Sequence, residues 1–137
     1  MTWRIMVIDD NRDFRAVIQR RLEKDQRFAV VAYTTVEEAL IQIATRSPDV
    51  ILLDWLLDGD LQGFRAIGEI RNLSRAPILI VSGMELDDEV LQRLHTMNVA
   101  ALRKGPRTVG VDFPLVTKIL LRIARTGLVA MEPGWVE

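Results

Sequence analysis

Short apolar runs alternate along this chain with segments in which apolar residues recur at helical spacing. Apolar residues at every position predict five strands, at residues 5–8, 28–33, 50–53, 78–81 and 99–102. Stripes with a spacing of three or four predict a helix after each strand, the first stripe being Phe14, Val17, Ile18 and Leu22. Thr35 followed three residues later by Glu38 predicts a capping box at the start of the second helix.

The regular alternation of strand and helix predicts an α/β fold. Strands that are apolar on both faces suit a parallel sheet covered on both sides by helices. Right-handed crossovers then give a doubly wound five-stranded parallel sheet, because five units are too few for a closed eightfold barrel. With 137 residues, of which 49% are hydrophobic, the chain is expected to form one domain over residues 1–126, followed by a C-terminal tail at 127–137.

Composition and charge exclude several classes of function. The chain has no cysteine and a single histidine, His95, which excludes disulfides, thiolate metal sites and multi-histidine sites. The formal net charge is −1, so nothing favours nucleic acid or an anionic membrane as a partner. The first apolar run is short and ends in two acids, unlike a signal peptide or a membrane span. We therefore expect a cytoplasmic protein.

Chemically active residues stand at the ends of four predicted strands. Asp9 and Asp10 follow the first strand, Asp54 the third, Ser82 the fourth, and Lys104 lies near the end of the fifth. In doubly wound sheets, ligands bind at the carboxyl ends of the strands, beside the point where strand order reverses. The simpler alternative is that acids after strands only cap the following helix. Because four strand ends carry such residues together, we favour a functional site.

The residue types at this edge indicate phosphoryl chemistry with a divalent cation. Clustered carboxylates repel one another unless a cation lies between them, and oxygen ligands suit Mg²⁺ or Mn²⁺. A carboxylate is also a nucleophile that forms acyl phosphates. We therefore assign Asp54 as the phosphoacceptor and place Asp9, Asp10 and Asp54 around the metal. Lys104 and Ser82 are assigned to the oxygens of the transferred phosphoryl group.

At these residues the sequence resembles the receiver domain of bacterial two-component response regulators. The matching segments are Ile8-Asp9-Asp10-Asn11, Leu52-Leu53-Asp54-Trp55, Val81-Ser82-Gly83 and Leu102-Arg103-Lys104. The resemblance extends over roughly residues 3 to 126. It implies the (βα)5 flavodoxin-like fold and a requirement for Mg²⁺, with the backbone carbonyl of Leu56 as a further metal ligand.

The resemblance also implies the partners. The phosphoryl group would come from a sensor histidine kinase or a phosphotransfer protein. As no output domain follows in the sequence, the readout would be another protein, bound through the fourth helix, fifth strand and fifth helix. A homodimer stays an open alternative. The resemblance implies no enzymatic activity beyond self-catalysed phosphotransfer and dephosphorylation.

Some residues depart from the family pattern. Gly105 follows Lys104 where a proline is usual, and Ala101 replaces the switch aromatic three residues before the lysine. Asp58 replaces a loop proline. Leu56 and Met84, at positions that govern hydrolysis, are apolar and cannot orient a water molecule, which predicts a long-lived phosphoryl state.

Three other functions are alternatives to a phosphoacceptor domain. The departures above leave open a degenerate receiver, a binding module that works without phosphorylation. A haloacid-dehalogenase-type phosphatase also uses an aspartate nucleophile, but it needs a second acid two residues later, where this chain has Leu56. A dinucleotide-binding domain is disfavoured because no Gly-x-Gly-x-x-Gly follows the first strand.

Overall fold

The computed structural model describes residues 2–55, 60–103 and 113–129, and for residues 60 and 61 it describes the backbone only. The strands are β1 (Trp3–Ile8), β2 (Phe28–Tyr33), β3 (Val50–Asp54), β4 (Ile78–Ser82) and β5 (Val99–Arg103). The helices are α1 (Arg12–Glu23), α2 (Val36–Thr45), α3 (Asp60–Arg71), α4 (Asp88–Thr96) and α5 (Phe113–Thr126). The predicted order of strands and helices is confirmed.

All five strands belong to one parallel sheet with the order β2-β1-β3-β4-β5. Strand order reverses between β1 and β3, because the chain first moves outward to β2 and then returns to the other side of β1. The register pairs Ile8 with Leu53, so the residues that follow them, Asp9 and Asp54, are brought to the same edge. The predicted doubly wound fold is thus confirmed, with its crevice between β1 and β3.

The sheet separates two hydrophobic cores, because successive strand residues point to opposite faces. In β1, Ile5 and Val7 pack with the apolar faces of α1 and α5. Met6 and Ile8 pack on the other face with residues of α2, α3 and α4. Burial on both sides explains why the strands have no alternating polar residues.

Side-chain caps fix where the helices begin. The Asn11 side chain accepts a hydrogen bond from the backbone N–H of Phe14 at 2.9 Å and so caps α1. Thr35 caps α2 by accepting from the N–H of Glu38 at 3.2 Å, which confirms the N-cap half of the predicted capping box. The Thr35 hydroxyl also donates to Oε1 of Glu38 at 3.2 Å. Because Asn11 is the cap of α1, Asp10 is left to face the crevice. The sequence also predicts Asp112 as the cap of the last helix, and this residue lies outside the described residues.

The start of the C-terminal tail is attached to the domain. Asn98, in a left-handed conformation with φ of 60°, donates from its side chain to the carbonyl oxygen of Gly127 at 2.8 Å. Its side-chain oxygen accepts from the N–H of Val129 at 3.0 Å, and Val129 is buried. The rest of the tail, 130–137, lies outside the described residues.

Candidate functional site

Three carboxylates meet where strand order reverses. Oxygen atoms of Asp9, Asp10 and Asp54 all lie within 4.8 Å of one another. Asp9 and Asp10 directly follow β1, and Asp54 is the last residue of β3. Asp9 is buried, Asp54 is partly buried and Asp10 is exposed. The structure therefore brings together the three acids that the sequence assigned to a metal.

Backbone contacts hold the buried acid in place. The backbone N–H of Asp9 donates to the carbonyl oxygen of Tyr33 at 3.1 Å. Its carbonyl oxygen accepts from Nη1 of Arg15 at 2.8 Å, and its Oδ1 accepts from the N–H of Asn11 at 2.8 Å. These contacts orient the carboxylate through α1 and β2, so Asp9 is a rigid member of the cluster.

The chemistry of this oxygen set fits a small hard cation. Mg²⁺ binds six oxygens at 2.0–2.1 Å, so its ligands lie about 3 to 4 Å apart. Carboxylate oxygens within 4.8 Å of one another approach this spacing. The exposed side of Asp10 gives access to water, and Mg²⁺ usually keeps several water ligands. Like charges at this distance also disfavour the cluster without a cation.

Ser82 closes β4 at the same edge of the sheet. Its neighbour Val81 is paired with Asp54 in the register of β3 and β4. The buried Ser82 hydroxyl donates to the carbonyl oxygen of Met84 at 2.9 Å and accepts from the N–H of Met84 at 3.0 Å. The hydroxyl must therefore rotate away from the Met84 carbonyl before it can donate to a bound ligand.

Two of the predicted site residues, Lys104 and Leu56, lie outside the described residues, as do Asp58 and Gly105. Just before Lys104, Arg103 ends β5 and forms an ion pair with Glu85.

A cavity of about 430 Å³ opens beside the acids, between the start of α2 and α3. Sequence reasoning did not assign its α3 wall to the site. That wall is made by Gln62, Arg65, Ala66 and Glu69. The spacing of these residues by three and four is the signal that could have found them, because it places them on one helix face.

The residue after Asp54 connects the site to α3 and α4. The buried ring of Trp55 packs edge-on against Phe64, with ring centroids 5.6 Å apart and planes at 89°. The guanidinium of Arg93 in α4 lies over the Phe64 ring, 4.0 Å from its centroid. Packed side chains thus lead from the neighbour of Asp54 to α4. At the position of the family's switch aromatic, Ala101 is fully buried.

The family model described as the response regulator receiver domain matches residues 5–105, and the chain belongs to this family. It is thus a receiver domain of two-component signal transduction, a family of phosphoproteins. The resemblance read from the sequence is confirmed.

Comparisons with individual proteins agree with the family. The chain is 29% identical over 109 residues to a protein-glutamate methylesterase/protein-glutamine glutaminase of Paramagnetospirillum magneticum, covering 79% of this chain and 31% of that protein. It is 30% identical over 91 residues to the KDP operon transcriptional regulatory protein KdpE of Escherichia coli, covering 66% of this chain and 39% of that protein. The matches thus span about a third of the length of these curated relatives.

Among solved structures, a LuxR-family two-component response regulator from an Aurantimonas species superposes with a TM-score of 0.75 at 26% identity. That superposition covers 97% of this chain and 91% of the other. The response regulator domain of Thermotoga maritima CheB shares the fold, with a TM-score of 0.71 at 22% identity, covering 96% of this chain and all of the other. In the parts of the chain that the structure describes, no helix has the length and hydrophobicity needed to span a membrane.

Proposed function

We propose that this protein is a phosphorylation switch in which Asp54 accepts a phosphoryl group. Receiver domains take this group from histidine kinases or phosphotransfer proteins, and we assign a donor of that kind here. The observation that carries the proposal is the cluster of Asp9, Asp10 and Asp54 at the reversal of strand order. As for other receivers, we propose no enzymatic activity beyond the protein's own phosphorylation and dephosphorylation.

The reaction at Asp54 is a displacement at phosphorus. A carboxylate oxygen of Asp54 forms a bond to phosphorus as the bond between phosphorus and the donor's imidazole nitrogen breaks. The electron pair stays on that nitrogen, which then takes a proton from water. Hydrolysis returns the protein to its unmodified state: water forms a bond to phosphorus as the bond between phosphorus and the Asp54 oxygen breaks. The products are inorganic phosphate, which takes the protons of the water, and the Asp54 carboxylate.

Receiver domains bind Mg²⁺ at an acidic cluster, and the described acids supply such a group. We propose that Asp9, Asp10, Asp54 and the backbone carbonyl of Leu56 hold Mg²⁺, or Mn²⁺ in its place. The ion would supply charge neutralisation at the phosphoryl oxygens. Lys104 and Ser82 are proposed to contact the remaining phosphoryl oxygens, Ser82 after its hydroxyl leaves the Met84 carbonyl.

The output surface is proposed to be the face formed by α4, β5 and α5, and its partner a downstream protein. This face carries exposed cations, namely Arg93, Arg103, Lys118, Arg122 and Arg125. A formal net charge of only −1 supports a protein partner rather than nucleic acid or membrane. We propose that residues 1–126 form the receiver domain and residues 127–137 a tail, because α5 ends at Thr126. We also propose a cytoplasmic location, and a homodimer stays an open alternative.

Incubation of the protein with phosphoramidate or acetyl phosphate tests this function. We expect intact mass spectrometry to detect the gain of one phosphoryl group with Mg²⁺ and none with excess EDTA. The apolar positions Leu56 and Met84 lead us to expect slow loss of the group after the donor is removed. If neither donor modifies the protein with Mg²⁺, while binding of a partner protein is retained, the chain is a degenerate receiver.

Asp10→Asn is expected to weaken Mg²⁺ binding by about tenfold or more, since an anionic oxygen ligand is lost from the cluster. The quenching of tryptophan fluorescence on Mg²⁺ titration measures this, because Trp55 adjoins Asp54. Asp13→Asn removes an exposed acid of the first turn of α1 and serves as the control. Equal Mg²⁺ affinity in both variants would contradict the assignment of Asp10.

A further inference from the structure

The cavity beside the acid cluster is strongly acidic. Five carboxylates line it, those of Asp9, Asp10, Glu37, Asp54 and Glu69. Among the lining residues that the structure describes, Arg65 is the one cation. Among the described lining residues, Arg65 is therefore the one that a new negative charge in this cavity attracts.

Arg65 is weakly held by its present neighbour. Its Nε lies 3.7 Å from Oε1 of Glu69, one turn along α3, and the two side chains are 73% and 43% exposed. Exposed pairs of this kind contribute little to stability. Arg65 can therefore leave Glu69 at low cost.

The position of Arg65 gives it access to Asp54. Both residues line the same cavity of about 430 Å³, so open space connects them. The opposite face of α3 packs inward through Ile67 and Ile70, which fixes the helix while its cavity face stays polar. The exposed arginine side chain and the candidate acceptor therefore lie on the same open cavity.

Phosphorylation changes which partner Arg65 prefers. A phosphoryl group carries a charge of about −1.5 to −2 where the carboxylate carried −1. Its oxygens accept two parallel N–H bonds from a guanidinium, which are charge-assisted and stronger than a single contact with Glu69. Building on the function proposed above, we propose that Arg65 releases Glu69 and binds the phosphoryl group on Asp54. Arg65 thus stabilises the phosphorylated state from the α3 side.

Beryllofluoride, a phosphoryl analogue that binds aspartate, tests this at saturating Mg²⁺ by tryptophan fluorescence titration. We expect Arg65→Gln to bind beryllofluoride about tenfold more weakly, since charge-assisted bonds are lost. Arg65→Lys should recover part of this affinity, and Glu69→Gln should bind about two- to threefold more tightly because the competing carboxylate is gone. Mg²⁺ alone should bind Arg65→Gln at least as tightly as the unmodified protein.

Arg75→Gln is the matched control, because Arg75 is an exposed arginine that does not line the cavity. It should bind beryllofluoride like the unmodified protein. Equal affinity of Arg65→Gln and Arg75→Gln would overturn the role of Arg65 while leaving the phosphoacceptor function intact. If the unmodified protein itself binds no beryllofluoride with Mg²⁺, both the function and this inference are wrong.

Discussion

Asp54→Asn is expected to abolish phosphoryl incorporation, lowering its initial rate at least about 100-fold, which corresponds to about 2.7 kcal/mol in the activation free energy. The amide has nearly the shape of the carboxylate, but it lacks the anionic oxygen that attacks phosphorus. Because Asp54 ends β3 and is only partly buried, we expect the fold to persist. Intact mass spectrometry during incubation with acetyl phosphate and Mg²⁺ measures the rate, and circular dichroism checks the fold.

Asp13→Asn, on the exposed first turn of α1, should be phosphorylated at the rate of the unmodified protein. Hydroxylamine distinguishes the acceptors chemically, since it cleaves an acyl phosphate and leaves a serine phosphate intact. A mass gain that persists in Asp54→Asn and resists hydroxylamine would move the acceptor to a hydroxyl, for which Ser82, Thr34 and Thr35 are the candidates near this edge. If Asp13→Asn also lost the mass gain, removal of any nearby carboxylate would be enough to stop the reaction. The loss in Asp54→Asn would then not identify Asp54 as the acceptor.

The acid cluster could be predicted because two independent patterns agree. Apolar runs of four to six residues mark the strands, and the alternation with helices makes them parallel. In a parallel sheet all carboxyl ends meet at one edge, so Asp9, Asp10 and Asp54 had to come close to one another. The prediction needed only strand ends and topology, and no side-chain packing.

The α3 side of the site could not be predicted, because tertiary contacts decide it. From the apolar stripe Phe64, Ile67 and Ile70, the sequence predicts a weaker third helix over residues 63–71. In the structure α3 begins at Asp60, and Gly63 lies inside it against the Trp55 ring. The earlier start puts Gln62 in the helix, on the same face as Arg65, and this face forms the cavity wall.

Gly63→Ala is expected to lower the free energy of unfolding by about 1–3 kcal/mol, although alanine is the better helix former. A β-carbon at residue 63 would come within 2.7 Å of Cε3 of Trp55 and closer still to Cζ3 and Cη2 of the same ring. The ring cannot move aside easily, because it is 3% exposed and packs edge-on against Phe64. Urea denaturation measures the loss, and a shift of the tryptophan emission reports displacement of the ring.

Gly68→Ala is the matched control in the same helix, because a β-carbon there meets nothing within 4 Å. This variant should be more stable than the unmodified protein by about 0.5–1 kcal/mol, since alanine restricts the unfolded chain and favours the helix. The two substitutions therefore change stability in opposite directions although their chemistry is identical. Stabilisation by both would mean that Trp55 does not pack on Gly63, and the connection from Asp54 through Trp55 to α3 would be lost with it.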